Sequence, residues 1–217
     1  MWGNSLDNLE AQLRAMLGTV FDELSPDSRR CLLTYLLWEQ LVPDLDSRCD
    51  GSSVLLGLKA LEIELRDRAF TSMLFRAIRA DLEANRFSDG AADILRTAVA
   101  MIKHSRPPSL GQCATILRGL QGARMADPAA FYNSETGIHL AGLSDGMRLL
   151  DRWFVSGLQQ ATLVRNQCAH EVVEFTSAAK IQPLLFGGTE RGLLRHIICC
   201  SMRWDRREQS DLFAVSS

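Results

Sequence analysis

No unbroken apolar run in this chain approaches the ~18 residues that a membrane-crossing helix needs. Mean hydropathy is −0.02, so no membrane span is expected. The opening residues, MWGNSLDNLE, lack both the basic and the apolar region of a secretory signal. No C-x-x-C pair occurs among Cys31, Cys49, Cys113, Cys168, Cys199 and Cys200. That excludes a zinc pattern and a dense disulfide framework, and the six read as reduced thiols of a cytoplasmic protein. Lysine is scarce: Lys59, Lys103 and Lys180 are the only ones, so nearly all positive charge is arginine. Arginine suits bidentate phosphate contacts, although a GC-rich gene produces the same bias. A net charge of −2, a pI near 6.1 and the lack of a dense basic patch do not by themselves point to nucleic acid.

Other absences narrow the chemistry. There is no internal repeat, no low-complexity segment and no glycine-rich phosphate loop. Ser144-Asp145-Gly146 lacks the strand-turn-helix context of a hydrolase elbow. His104, His139 and His196 are scattered and read as surface or helix-end residues. No cofactor and no metal ion are expected.

What is present is a chain of 217 residues, 47% hydrophobic, enough for a real core. Period-2 alternation never persists, whereas helical periodicity runs almost throughout. The expectation is an all-α bundle of seven or eight helices. Residues 1–205 read as a single domain, with helices over 4–42 as an extension and a loose tail over 206–217. Asn4 opens a first helix with the stripe Leu6, Leu9, Leu13, Met16, Leu17, Val20, Leu24. Ser25-Pro26 starts a second, over 26–42, apolar on most sides and expected to be central. A long helix is expected over 54–85 and a short one over 91–104. Ser109 and Gln112 have capping-box spacing for a helix to about Arg124. Residues 125–144 read as irregular. Ser144 caps a helix over 145–168, another runs from His170 to Leu185, and Thr189 caps a last one.

In the helix over 145–168, Leu150, Phe154, Leu158 and Ala161 form a core stripe, and one more step of four lands on Arg165. A guanidinium on a packing face needs a partner, a phosphate or an interface, or it must snorkel out at the helix end. His170 follows five residues later, about 140° away on a straight helix of 3.6 residues per turn. The two side chains therefore do not converge within one straight helix. Either the helix breaks at Asn166, or the site is assembled from two copies. Asn166 and His170, four apart, share a face if the helix continues. Cys168, inside the motif, reads as a small buried residue.

Arg165-Asn166-Gln167-Cys168-Ala169-His170 reads R-N-x-x-A-H. It resembles the R-x4-6-H motif of the HEPN superfamily, all-α domains of prokaryotic toxins, phage-defence proteins and CRISPR-associated ribonucleases. A second stretch, LGLKALEIELRDRAF (56–70), with Lys59, Glu62 and Arg66 on one helix, is similar in character to large HEPN domains, as is PPSLGQ before a helix. The resemblance covers about 50–185. It implies a metal-independent endoribonuclease acting as a toxin or defence effector. RNA would be the substrate, a homodimer would share one composite site, and an antitoxin or regulatory protein would be the partner. It implies His170 as acid or base, Arg165 on the phosphate oxygens and Asn166 as orienter, with Glu62, Arg66 and Lys59 supporting. The 2′-hydroxyl attacks, leaving a 2′,3′-cyclic phosphate. Glu62 and Arg66, four apart, read by themselves as an ordinary solvated ion pair on a helix face. The alternative function is a non-catalytic HEPN-like module that binds RNA, a nucleotide or a protein.

Overall fold

In the computed structural model the described residues are 3–41, 51–102, 107–143, 145–170, 181–187 and 192–201. They are all-helical: eleven α-helices and two 3₁₀ segments, with no strand among them. The helices are α1 (Gly3–Leu17), α2 (Pro26–Leu41), α3 (Ser52–Arg68), α4 (Ser72–Glu83), α5 (Asp89–Ala100) and α6 (Leu110–Ala126). They continue with α7 (Pro128–Tyr132), α8 (Glu135–Gly142), α9 (Arg152–His170), α10 (Ile181–Phe186) and α11 (Leu193–Ser201). The caps expected at Ser144 and Thr189, the helix expected over 171–180 and the tail 206–217 lie outside the described residues.

The count exceeds the expected seven or eight for two reasons. The long helix expected over 54–85 is two helices. Both Ala69 and Phe70 turn their N–H groups back to the Leu65 carbonyl, and Thr71 restarts the chain in an extended conformation. The break redirects α4, whose Leu74 and Ile78 are fully buried, onto α8. The stretch 125–144 is not irregular either. Asp127 caps α7 through Ala130 N–H at 2.9 Å, with Pro128 at its first position, and Ser134 caps α8 through Gly137 N–H at 3.0 Å. Asn85, at φ 52°, ends α4 in the left-handed conformation that asparagine tolerates.

Buried apolar side chains form one cluster from Leu9 to Cys200. Its hub is α3, not α2. Helix α3 packs against α2, α6, α9, α10 and α11, and is buried on several sides. The expectation of a central α2 fails because only its Leu32, Tyr35 and Leu36 side turns fully inward, while Trp38 and Leu41 are exposed. Among the described residues, no helix is long and apolar enough to cross a membrane.

Three buried carboxylates join these helices at their N-termini. Glu64 accepts from Ser25 N–H at 2.9 Å and from Arg68 Nε at 2.5 Å, holding the start of α2. Asp81 accepts from Glu135 N–H at 3.0 Å and Thr136 N–H at 2.8 Å, holding the start of α8. Glu62 accepts from Leu110 N–H at 3.0 Å, holding the start of α6. Each meets orphan donors and the positive end of a helix dipole.

His196 departs from expectation. It is 6% exposed, with ring centroids of Trp153 and Phe154 at 4.6 and 4.5 Å, and its Nε2 lies 3.0 Å from the Arg148 carbonyl. It is a core histidine rather than a surface one, because the apolar periodicity of α11 carries it inward with Ile197 and Cys200.

Two stability measurements follow from this framework. Asp81→Ala should destabilise by about 3 kcal/mol in urea titrations, because two backbone donors lose their acceptor inside the core; Asp81→Asn should cost less. Burial holds the His196 pKa below its ordinary value of 6.5 against the opposing hydrogen bond to Arg148. The folded state therefore prefers the neutral ring. Its contribution is fully present above the unfolded pKa and is lost as pH falls through the folded one. Half-buried His139 shifts the same way, by partial burial. Unfolding free energy should fall below about pH 6.5, and less steeply in His196→Gln than in the wild type; equal slopes would remove His196 from the account.

Candidate functional site

Helix α9 starts from a fixed point. The Leu150 carbonyl accepts from Gln121 Nε2 at 2.8 Å and from Arg124 Nη2 at 3.0 Å, and Arg124 Nη1 donates to the Met147 carbonyl at 3.1 Å. Extended Asp151 then separates the 3₁₀ segment Gly146–Leu150 from α9. The expected single helix over 145–168 is thus shorter at its start. Its core stripe is as expected: Leu150, Phe154, Leu158 and Ala161 are all 0% exposed.

The helix does not break at Asn166. It runs without interruption through His170, its last residue. Arg165 and His170 therefore stand five apart on one helix, about 140° from each other. Arg165 is half-buried, between buried Ala161 and buried Cys168. Its Nη1 lies 3.5 Å from Asn166 Oδ1, at the long limit of a hydrogen bond, and Asn166 itself is exposed.

Arg165 and Ala169 form one wall of a cavity of about 460 Å³. Helix α3 supplies the opposite wall with Leu55, Leu56 and Leu58, along with Ser52, Lys59 and Glu62; Leu110 closes it from the start of α6. Two of the three supporting residues expected from the sequence thus line the same cavity as the motif arginine. Arg66 stands one turn further along α3, its Nη1 3.7 Å from Glu62 Oε1. Its Nε is buried and has no hydrogen-bond partner among the described residues.

Glu62 is not the solvated residue of a helix-face pair. It is 8% exposed, and its carboxylate receives Lys59 Nζ at 2.6 Å on one oxygen and Leu110 N–H on the other. The position on α3 was legible from the sequence. The cap was not, because the capped N–H lies 48 residues away. Lys59 keeps its ammonium near water, with 48% of the side chain exposed. The Ser109 and Gln112 capping box forms as expected and sets Leu110 as the first residue of α6.

The far end of the motif is tied to the start of α3. Gly51, at φ 68°, is packed so closely that a Cβ there would lie 2.9 Å from Cys168 Cβ. Cys168 is 4% exposed and burial pushes its thiol pKa up. Burial also raises Cys31 and Cys113, the latter helped by the Glu62 charge, and pushes Cys200 up to about 12. None of these four is an activated thiol nucleophile. Cys31, Cys113, Cys168, Cys199 and Cys200 are all free. Among the described residues, no three His, Cys, Asp or Glu side chains cluster to hold a metal ion.

This arrangement brings a guanidinium and an ammonium to the mouth of a mostly apolar hollow. It can bind an anion beside a flat apolar group. Compared with models of protein families, with curated proteins and with solved structures, the chain matches none.

Gly51→Ala should test the tie between α3 and the motif. The left-handed backbone and the contact with Cys168 should together cost about 2 kcal/mol in denaturant unfolding. Hydrogen exchange should quicken at the C-terminal turn of α9 ahead of the rest of that helix.

Proposed function

We propose that the chain is a HEPN-type, metal-independent endoribonuclease, a toxin or phage-defence effector whose site is completed by a second copy. The observation that carries this reading is the shared cavity. Arg165 of the R-N-x-x-A-H motif faces Lys59 and Glu62 of the second resembling stretch, more than 100 residues away in the chain. Chance motifs on unrelated helices have no reason to meet.

The chemistry follows from the residue types. RNA brings its own nucleophile, the 2′-hydroxyl. Arg165 offers a fork of donors to the phosphate oxygens as charge builds on the phosphorus. His170 supplies an imidazole, the side chain suited to general acid and base work. Asn166 orients the imidazole or a phosphate oxygen through its amide. The products are a 2′,3′-cyclic phosphate and a 5′-hydroxyl.

Two features support pairing of copies. A continuous α9 keeps Arg165 and His170 of one chain on different faces. Beyond exposed Arg152 at its start, the exposed positions Ser156, Gln160, Leu163, Asn166, Gln167 and Ala169 carry no charge, and Leu163 is 64% exposed. Uncharged centres with apolar anchors suit protein interfaces. An antitoxin or regulatory protein is the expected partner, as for other toxins of this kind.

Purified wild type should cleave total RNA in EDTA and leave cyclic-phosphate ends, while Arg165→Ala and His170→Ala should each lose at least about 100-fold. Mixing the two inactive variants should restore part of the activity, because a heterodimer holds one intact Arg165–His170 pair. Leu163→Glu should shift the chain to monomer and abolish cleavage. Full activity in His170→Ala would sink the mechanism, and RNA binding without cleavage by the wild type would favour the non-catalytic module.

A further inference from the structure

Among the described residues, the charged side chains that line the Arg165 cavity are two cations and one carboxylate already bonded within the fold, with the Ser52 hydroxyl beside them. Lys59 and Arg165 are hydrogen-bond donors with no acceptor atom. Glu62, the carboxylate of the lining, directs one oxygen to Lys59 Nζ at 2.6 Å and the other to Leu110 N–H at 3.0 Å. Arg66 stands 3.7 Å from it, and the residue is 8% exposed. Its acceptors serve the fold. Ser52 stands at the exposed rim, and leucines make the walls. A ligand that fills this hollow is flat or apolar, and its polar edge must offer acceptors.

Resting on the RNA-cleaving reading of the site, we propose that the cavity receives one unstacked base of single-stranded RNA and selects a carbonyl edge, uracil or guanine, against adenine. Arg165 holds the adjoining phosphate, and Lys59 donates to the base carbonyl. Uracil O4 and guanine O6 are acceptors, whereas adenine presents an amine at the corresponding place. Adenine's amine would meet Lys59 donor to donor and lose its water without a replacement. A volume of about 460 Å³ admits one nucleotide and not a duplex, so the base must leave its stack. The Lys59–Glu62 contact makes the selection geometric, because the carboxylate that caps α6 also fixes where the ammonium stands.

The test uses short deoxyadenosine oligonucleotides with one ribonucleotide of each base, incubated with the full chain in EDTA. Their all-deoxy counterparts, which cannot be cleaved, report binding by fluorescence anisotropy. Uracil and guanine should exceed adenine by at least about tenfold in both readouts. Lys59→Met should bring all bases near the adenine value with the thermal midpoint retained, and Lys59→Arg should recover the preference. If Lys59→Met does not fold, Lys59→Gln replaces it in the same assays. Equal treatment of the four bases, or an unchanged preference in the lysine variants, overturns the proposal. Cleavage without base preference defeats the base pocket alone. Base-selective binding without cleavage defeats the nuclease reading and leaves the pocket standing. Free uridine monophosphate carries the same acceptors. If it binds as tightly as the oligonucleotide, the cavity is a mononucleotide site and the RNA proposal fails.

Discussion

The structure depends on carboxylates buried where helices begin. Helix α3 carries two, Glu62 and Glu64, and they reach the N-termini of α6 and α2 respectively. A carboxylate in a core is costly unless it is paired and hydrogen-bonded. Here each is both. Glu64 has Arg68 as well as Ser25 N–H, and Glu62 has Lys59 and Arg66 as well as Leu110 N–H. Asp81 repeats the device between α4 and α8, with Arg86 Nη1 3.5 Å away. Apolar contacts along smooth helices tolerate sliding. A charged acceptor on a specific N–H does not, so these three groups fix the register that the leucines leave loose.

That fixed register also places the charged groups of the cavity. Glu62 is bound to the start of α6 through one oxygen and orders Lys59 through the other, while Arg165, on the same lining, lies 3.5 Å from Asn166 Oδ1. The same geometry explains why Gly51 and Cys168 must be small. The start of α3 and the end of α9 approach until a single Cβ would fill the space. The R-N-x-x-A-H stretch on α9 and the charged set on α3 are therefore mechanically one object.

Much of this was legible in the residues. The stripe Phe154, Leu158, Ala161 obeys helical spacing, as does the burial of Cys168, and local rules act within one turn. The Ser109 capping box was legible for the same reason. Asp127-Pro128 and Ser134 also announced α7 and α8, but short helices lack the repeated apolar periods that mark a long one. The break at Phe70–Thr71 leaves no proline or glycine in the sequence, so periodicity ran through it. The backbone N–H groups that Glu62, Glu64 and Asp81 accept from lie 39 to 55 residues away, and no local pattern encodes such a pairing. His196 was misread because imidazole is as much an aromatic packing group as a polar one.

The motif itself shows how a local rule can force a non-local conclusion. A break at Asn166 would have let one chain close its own site, since a new helix could turn His170 back toward Arg165. The backbone instead stays helical through His170. Five residues on an α-helix cannot be brought to one face by rotamer choice alone, because the Cα–Cβ directions already differ by about 140°. That divergence is what the proposal of a second copy answers. The surface the proposed copy would cover is the uncharged run Ser156, Gln160, Leu163 and Gln167, which stops one turn short at exposed Arg152, so that apolar Leu163 and neutral polar groups rather than charges would be desolvated.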